Sequence, residues 1–303
     1  MLAVLLTGQY RTFDRTWRLI EKHLLRPNDA RVFVFAEHSD PEAAAAALFD
    51  RWGSYIGSSQ VHTSTRTEDY HHILVHLLKS KPAIQAEAMH KAGFNQNYLV
   101  SSGSVLEYYQ FLRAYDQMLA YERQHDVKFT VVVRSRLDVV FTVPLELRSF
   151  FSTNHAETTE AEFTSLGIPL VAERQHAWIY RNQIRNPPST RRLQERDVVW
   201  TFRKNVVWIG RREVMDRLYP LLYWYGTYVT DSPYSFNSET QFNEFCFAHN
   251  ITTVDFHTAV EERYLVSREA NTTLLSGSQL SETRDRDLVV TVVRPLDYHF
   301  DRL

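Results

Sequence analysis

The sequence predicts an α/β protein, a mostly parallel central sheet flanked by helices, and three observations predict it. Short apolar runs of buried-strand character alternate with segments of helical period from the first residue onward. The runs at 2–6, 31–35 and 129–133 are continuous rather than alternating, the mark of strands covered on both faces. The 303 residues, 44% of them hydrophobic, suffice for one sizeable core, and neither a repeat nor a low-complexity tail divides the chain.

Leu2 to Leu6 forms the first strand and stops at a polar turn, Thr7-Gly8-Gln9-Tyr10-Arg11. Phe13, Trp17, Ile20 and Leu24 recur at helical spacing, so a helix is expected from about Asp14 until Pro27 closes it. Arg31 to Phe35 is the second strand, and Pro41 to Trp52, with five consecutive alanines, is the second helix. Val61 belongs to a short strand, and 68–79 and 84–91 read as helical. A long amphipathic helix follows from Gly103 to about Gln124, with Val105, Tyr108, Leu112, Tyr115 and Leu119 on one stripe. It leads into the strand Phe129 to Val133, which ends in Arg134-Ser135-Arg136-Leu137-Asp138, before Val139 to Phe141.

Residues 152–200 read as an irregular insertion, with strands at most at 169–172 and 177–180. Order returns with a strand at Val206 to Gly210, a helix from Arg212 to Trp224, a helix capped by Asn237 or Ser238 and running to about His249, and a strand at Ile251 to Phe256. One domain over 1–303 is expected, with a ligand-binding half at 1–145 and a second half at 146–303.

Charge excludes some functions. The 34 basic and 36 acidic side chains nearly cancel, so no face basic enough for nucleic acid is expected. Cys246 is the only cysteine, which excludes an internal disulfide and a multi-thiolate zinc site. The run Met1 to Leu6 is too short for a signal peptide core, and no stretch approaches the roughly 20 apolar residues of a membrane span. A cytoplasmic protein is therefore expected.

In open α/β sheets, ligands bind where polar loops leave the carboxyl ends of strands. Two loops hold that position. In the first, Gly8 permits close backbone approach, Gln9 can pair with a base or ribose, and Arg11 can donate to a phosphate. In the second, Arg134, Arg136 and Asp138 directly follow buried residues, a costly placement unless their charges are paired or used. Asp138 could ligate Mg²⁺ or Mn²⁺ on a diphosphate, Arg136 could meet the phosphates itself, or the two could form an ion pair that holds the strand end. The histidines of Tyr70-His71-His72 with His76 read as a solvated helix face.

The Gly8-Gln9-x-Arg11 opening, the helix bearing Gln110 and Arg113 and ending near Glu122, the Arg134-x-Arg136-x-Asp138 strand end and the later Ser238-Glu239 helix resemble small soluble glycosyltransferases of GT-A (Rossmann-like) fold. Those relatives occur in large DNA viruses of algae, with similar proteins in algae and bacteria. The resemblance covers roughly 1–36, 103–143 and 204–256. It implies a nucleotide-diphosphate sugar donor, UDP-linked by preference, whose sugar passes to a hydroxyl of a glycan or other acceptor. It places Gly8, Gln9, Arg11, Arg113, Arg134, Arg136 and Asp138 at the donor. Asp138 matches the second aspartate of the metal-holding Asp-x-Asp, whereas Arg136 replaces the first, and His257 would complete the metal's shell. Glu239 is the candidate base, with Asp231 and Asp197 as alternatives, and Tyr225 to Tyr234 is the candidate acceptor surface. Two other functions stay open: a sugar nucleotidyltransferase, and a non-catalytic glycan- or nucleotide-binding relative.

Overall fold

The computed structural model describes residues 1–10, 13–80, 103–141, 144–147, 157–158, 193–194, 197–202, 206–225, 238–255 and 290–292. The chain opens with β1 (Leu2–Gln9), α1 (Phe13–Ile20), β2 (Arg31–Glu37), α2 (Pro41–Trp52) and β3 (Ile56–His62). β1 runs past the expected turn because Thr7, Gly8 and Gln9 pair in parallel register with Phe35, Ala36 and Glu37, which satisfies their backbone groups. Pro27 does not close the first helix. α1 continues through a π-helical turn, Glu21–Leu25, into a last turn, Arg26–Asn28, where the proline takes an early position that needs no N–H donor. The chain leaves that turn at Asp29, in left-handed backbone at φ 46°. α2 has the expected bounds, with Asp40 accepting from the Ala43 amide at 3.0 Å and Pro41 in the first turn.

α3 (Glu68–Ser80) and α4 (Gly103–His125) follow. The helix expected at 84–91 lies outside the described residues. α4 packs across β1 and β2 through the predicted stripe: Val105, Tyr108, Leu112 and Tyr115 are buried and Leu119 packs against them. Next come β4 (Val131–Arg136), β5 (Val139–Phe141), β6 (Glu157–Thr158), β7 (Leu193–Gln194), β8 (Val198–Phe202), β9 (Val207–Arg211), α5 (Arg212–Leu218), α6 (Leu221–Trp224), α7 (Ser238–Ala248), β10 (Thr252–Asp255) and β11 (Val290–Val292).

Three expectations need correction here. β4 keeps its charged end inside the strand, because Arg134 and Arg136 pair in register with Leu5 and Thr7 of β1. β8 is a full strand within a stretch read as irregular, and Trp200 at its centre is completely buried. The helix expected over 212–224 is two, broken at Tyr219-Pro220 because proline cannot donate to the preceding turn. The strands expected at 169–172 and 177–180 lie outside the described residues.

The main sheet has seven strands in the order β10-β8-β9-β4-β1-β2-β3. β9 runs antiparallel to both neighbours, β4 and β8; every other pairing in this sheet is parallel. One core cluster packs α1 and α2 against one face, and a second packs α4 with α5 and α7 against the other. The chain moves outward from β1 through β2 to β3, then returns to place β4 on the opposite side of β1. That reversal makes the β1–β4 boundary a topological switch point, where the loops diverge and leave a crevice at the carboxyl ends. No described helix is long and apolar enough to cross a membrane.

Candidate functional site

A cleft of about 320 Å³ opens at that crevice. Its floor is the end of β1, with Thr7, Gly8 and Gln9, flanked by Glu37 at the end of β2 and by Arg134, Arg136 and Asp138 at the end of β4. Gly8 sits at φ 105°, a backbone angle that a side chain strains to adopt, and a Cβ there would meet no atom within 4 Å. The glycine is thus required by the backbone angle, and it leaves main chain bare toward open space.

The other wall comes from helix starts. Gly103, Leu106, Glu107 and Gln110 line the cleft from the first turns of α4, and Ser238 lines it from the first residue of α7. The Tyr108 hydroxyl donates to the Ser238 carbonyl and ties the two helices together. A helix start carries roughly half a positive charge, so the convergence of two favours an anion.

The charged groups are held tightly. Arg134 is fully buried: its Nη2 donates to Glu107 Oε1 at 2.7 Å, its Nη1 to the Val206 carbonyl at 3.4 Å, and its guanidinium lies 4.8 Å from the Trp208 ring centroid. A buried charge of this kind is tolerable only with such a partner set. Arg136 lies outside Asp138, with side-chain exposures of 32% and 5%, so a ligand entering the cleft meets the guanidinium first. Its Nε donates to Asp138 Oδ1 at 2.8 Å and its Nη2 to Oδ2. The link between them is fixed by the Leu137 amide donating to the Thr7 carbonyl at 3.2 Å and by Thr16 Oγ1 donating to the Leu137 carbonyl at 2.9 Å. Gln110 Nε2 donates to Thr65 Oγ1 at 2.7 Å. Two buried polar atoms of the cleft lining, Thr7 Oγ1 and Arg134 Nε, have no partner among the described residues.

The structure therefore brings Gly8, Gln9, Arg134, Arg136 and Asp138 together. Arg113 is elsewhere, in a separate groove beside His62 and Tyr109, and its partner is Asp116 at 3.5 Å. Glu239 neighbours Ser238 without lining the cleft, and Asp197 is engaged by Arg217 at 2.6 Å. Tyr225 packs in the core against Tyr108, so it offers no surface to an acceptor. Arg11, Asp231, His257 and residues 226–237 lie outside the described residues. Sequence reasoning missed Glu37 and Glu107; the helix start at Ser238 was expected, though not its place at the cleft. The only signal for Glu37 is its place after a buried run, matching that of Gln9; for Glu107 there is none.

A divalent ion on Asp138 does not fit the described donor set. Both carboxylate oxygens already accept from Arg136, and among the described residues no three His, Cys, Asp or Glu side chains converge. A double positive charge sharing that carboxylate would sit near the guanidinium. At about 4 Å and an effective dielectric of about 20, the repulsion is on the order of 8 kcal/mol.

Comparison with known protein families gives no match, and comparison with curated proteins gives none. Among solved structures, the apo form of mouse xyloside xylosyltransferase 1 is similar over 95% of each chain, at 12% sequence identity and a TM-score of 0.39. A likeness of that degree leaves the functional assignment to the cleft itself.

Proposed function

We propose that the protein is a GT-A-like glycosyltransferase whose cleft receives the diphosphate of a nucleotide-sugar donor, UDP-linked by preference. One observation carries the reading: two helix N-termini, two arginines and the bared Gly8 backbone converge at the switch point of the sheet. That combination suits a ligand that is anionic, compact and attached to something larger. Arg136 would meet the diphosphate, and Gln9, at the outer end of β1, would meet the ribose or base. The reaction forms a bond between an acceptor hydroxyl oxygen and the sugar C1 while the bond from C1 to the diphosphate oxygen breaks. The hydroxyl proton passes to a carboxylate, for which Glu239 at the start of α7 is the candidate and Asp231 the alternative. The half at 146–303 would supply the acceptor side.

Calorimetric titration with UDP and with GDP tests the reading, on the wild type and on Arg136→Ala. One of the two should bind, and the substitution should weaken it about tenfold or more, the value of a charge-assisted contact. If neither nucleotide binds the wild type, the donor-site reading fails.

A further inference from the structure

We propose that this cleft holds its diphosphate without a divalent cation, with the Arg136 guanidinium, seated on Asp138, in the place an ion would take. The inference rests on the donor-binding reading above and specifies how that site neutralises its ligand.

Three observations on different elements support it. Asp138 is nearly sealed from solvent, and Arg136 covers both of its oxygens from the cleft side, at 2.8 Å for Nε to Oδ1. A hard cation needs an accessible carboxylate oxygen, and this one is already shared with a fixed positive charge. Second, the positive potential that a metal would supply is partly built in, because α4 and α7 both begin at the cleft. Third, the polar atoms left unsatisfied at the floor are a hydroxyl and a guanidinium Nε, at Thr7 and Arg134. Both can donate to an anion's oxygens, whereas the Nε has no lone pair to offer a cation. The Arg136 fork is planar and permanently charged, and it can exchange one bidentate acceptor for another of similar shape. On ligand arrival it needs only to share its charge between Asp138 and a phosphate oxygen, a smaller change than assembling an ion with its water shell.

The test is calorimetric titration of the full chain with the nucleoside diphosphate that binds, first in EDTA and then in excess Mn²⁺. Affinity should differ by no more than about twofold between the two, since charge neutralisation by a guanidinium involves no metal. Wild-type binding that appears only with Mn²⁺ overturns the inference and leaves the donor-binding reading intact. Absence of binding in both conditions overturns both. The converse variant is Arg136→Asp, which trades the guanidinium for a second carboxylate. Its affinity in EDTA should fall about thirtyfold or more and should recover substantially in Mn²⁺, because paired carboxylates create a hard-ion site. Unchanged affinity in EDTA would remove Arg136 from the role assigned here. Should that variant not fold, as judged by circular dichroism, the wild-type pair of titrations still decides.

Discussion

Two arginine clusters occupy the opposite ends of β4, and they are built differently. At the amino end, the Arg212 amide donates to the Thr130 carbonyl at 2.9 Å, and the side chain turns inward. Its Nη2 meets Glu122 Oε2 at 3.0 Å, its Nη1 meets Tyr115 Oη and Asp216, and its guanidinium lies 5.1 Å from the Tyr115 ring centroid. Glu122 Oε1 also accepts from the Phe129 amide at 2.9 Å, and the Tyr115 hydroxyl donates to Asp216 at 2.8 Å. Burial works against the Arg212 charge, yet Glu122 and Tyr115 outweigh it and raise the pKa of the guanidinium; burial likewise pushes the Tyr115 hydroxyl up. At the carboxyl end, by contrast, Arg134 keeps a buried Nε without a partner, Thr7 keeps a buried hydroxyl without one, and Gly8 holds a left-handed angle. A saturated network fastens a helix to a sheet. One that leaves donors unmatched beside a cleft keeps hydrogen-bonding capacity that the described residues do not use.

The comparison breaks most visibly at the amino end. Arg212→Ala leaves the half-buried Glu122 carboxylate without its cation and a cavity beside Tyr115, so it should cost about 2–4 kcal/mol and lower Tm by several degrees. Nucleotide affinity in the folded fraction should not change. Thermal denaturation alongside calorimetry checks this, and a fall in affinity without a fall in Tm would mean the two clusters are not separate in kind. Gly8→Ala comes next. The added methyl meets open space, so the cost comes from φ 105° alone, about 1–3 kcal/mol. Relaxing that angle re-aims the end of β1, and affinity should fall about tenfold, as misplacing a contact can do. An alanine variant with wild-type affinity would show that the bared backbone is not part of the site.

The amino-terminal half was legible because its signals are local. Leu2 to Leu6 and Arg31 to Phe35 are apolar runs long enough to read as strands, and Pro41 to Trp52 carries its own cap and helix formers. β8 was not, because Val198 to Phe202 is short, follows charged Glu195-Arg196-Asp197, and becomes a strand only between β9 and β10. The extent of β4 was hidden for the same reason: Arg134 and Arg136 count as strand residues only once β1 lies alongside. Cleft residues divide in the same way. Gly8, Gln9, Arg136 and Asp138 follow buried runs and announce themselves, whereas Glu107 and Ser238 reach the cleft through the packing of α4 against the sheet and of α7 against α4. Arg113, which the resemblance placed at the donor, lines the neighbouring groove with His62 and Tyr109.

The finest distinction between the two ends of β4 rests on a single hydroxyl. Thr7 Oγ1 is buried and has no partner among the described residues, so in the unliganded protein it is a net cost. Thr7→Val removes that cost and keeps a β-branched shape in the middle of paired strands, so stability should stay level or rise by about 1 kcal/mol. Affinity should move the other way, falling about fivefold, because the proposed phosphate would lose a hydrogen-bond donor at the cleft floor. A gain in stability together with a loss in affinity is the signature of a group kept for a ligand, the opposite of Arg212, where stability falls and affinity holds. Should Thr7→Val instead lose stability and bind as before, the hydroxyl belongs to the fold, and the contrast between the two ends of β4 narrows to Arg134, Gly8 and the Arg136–Asp138 pair.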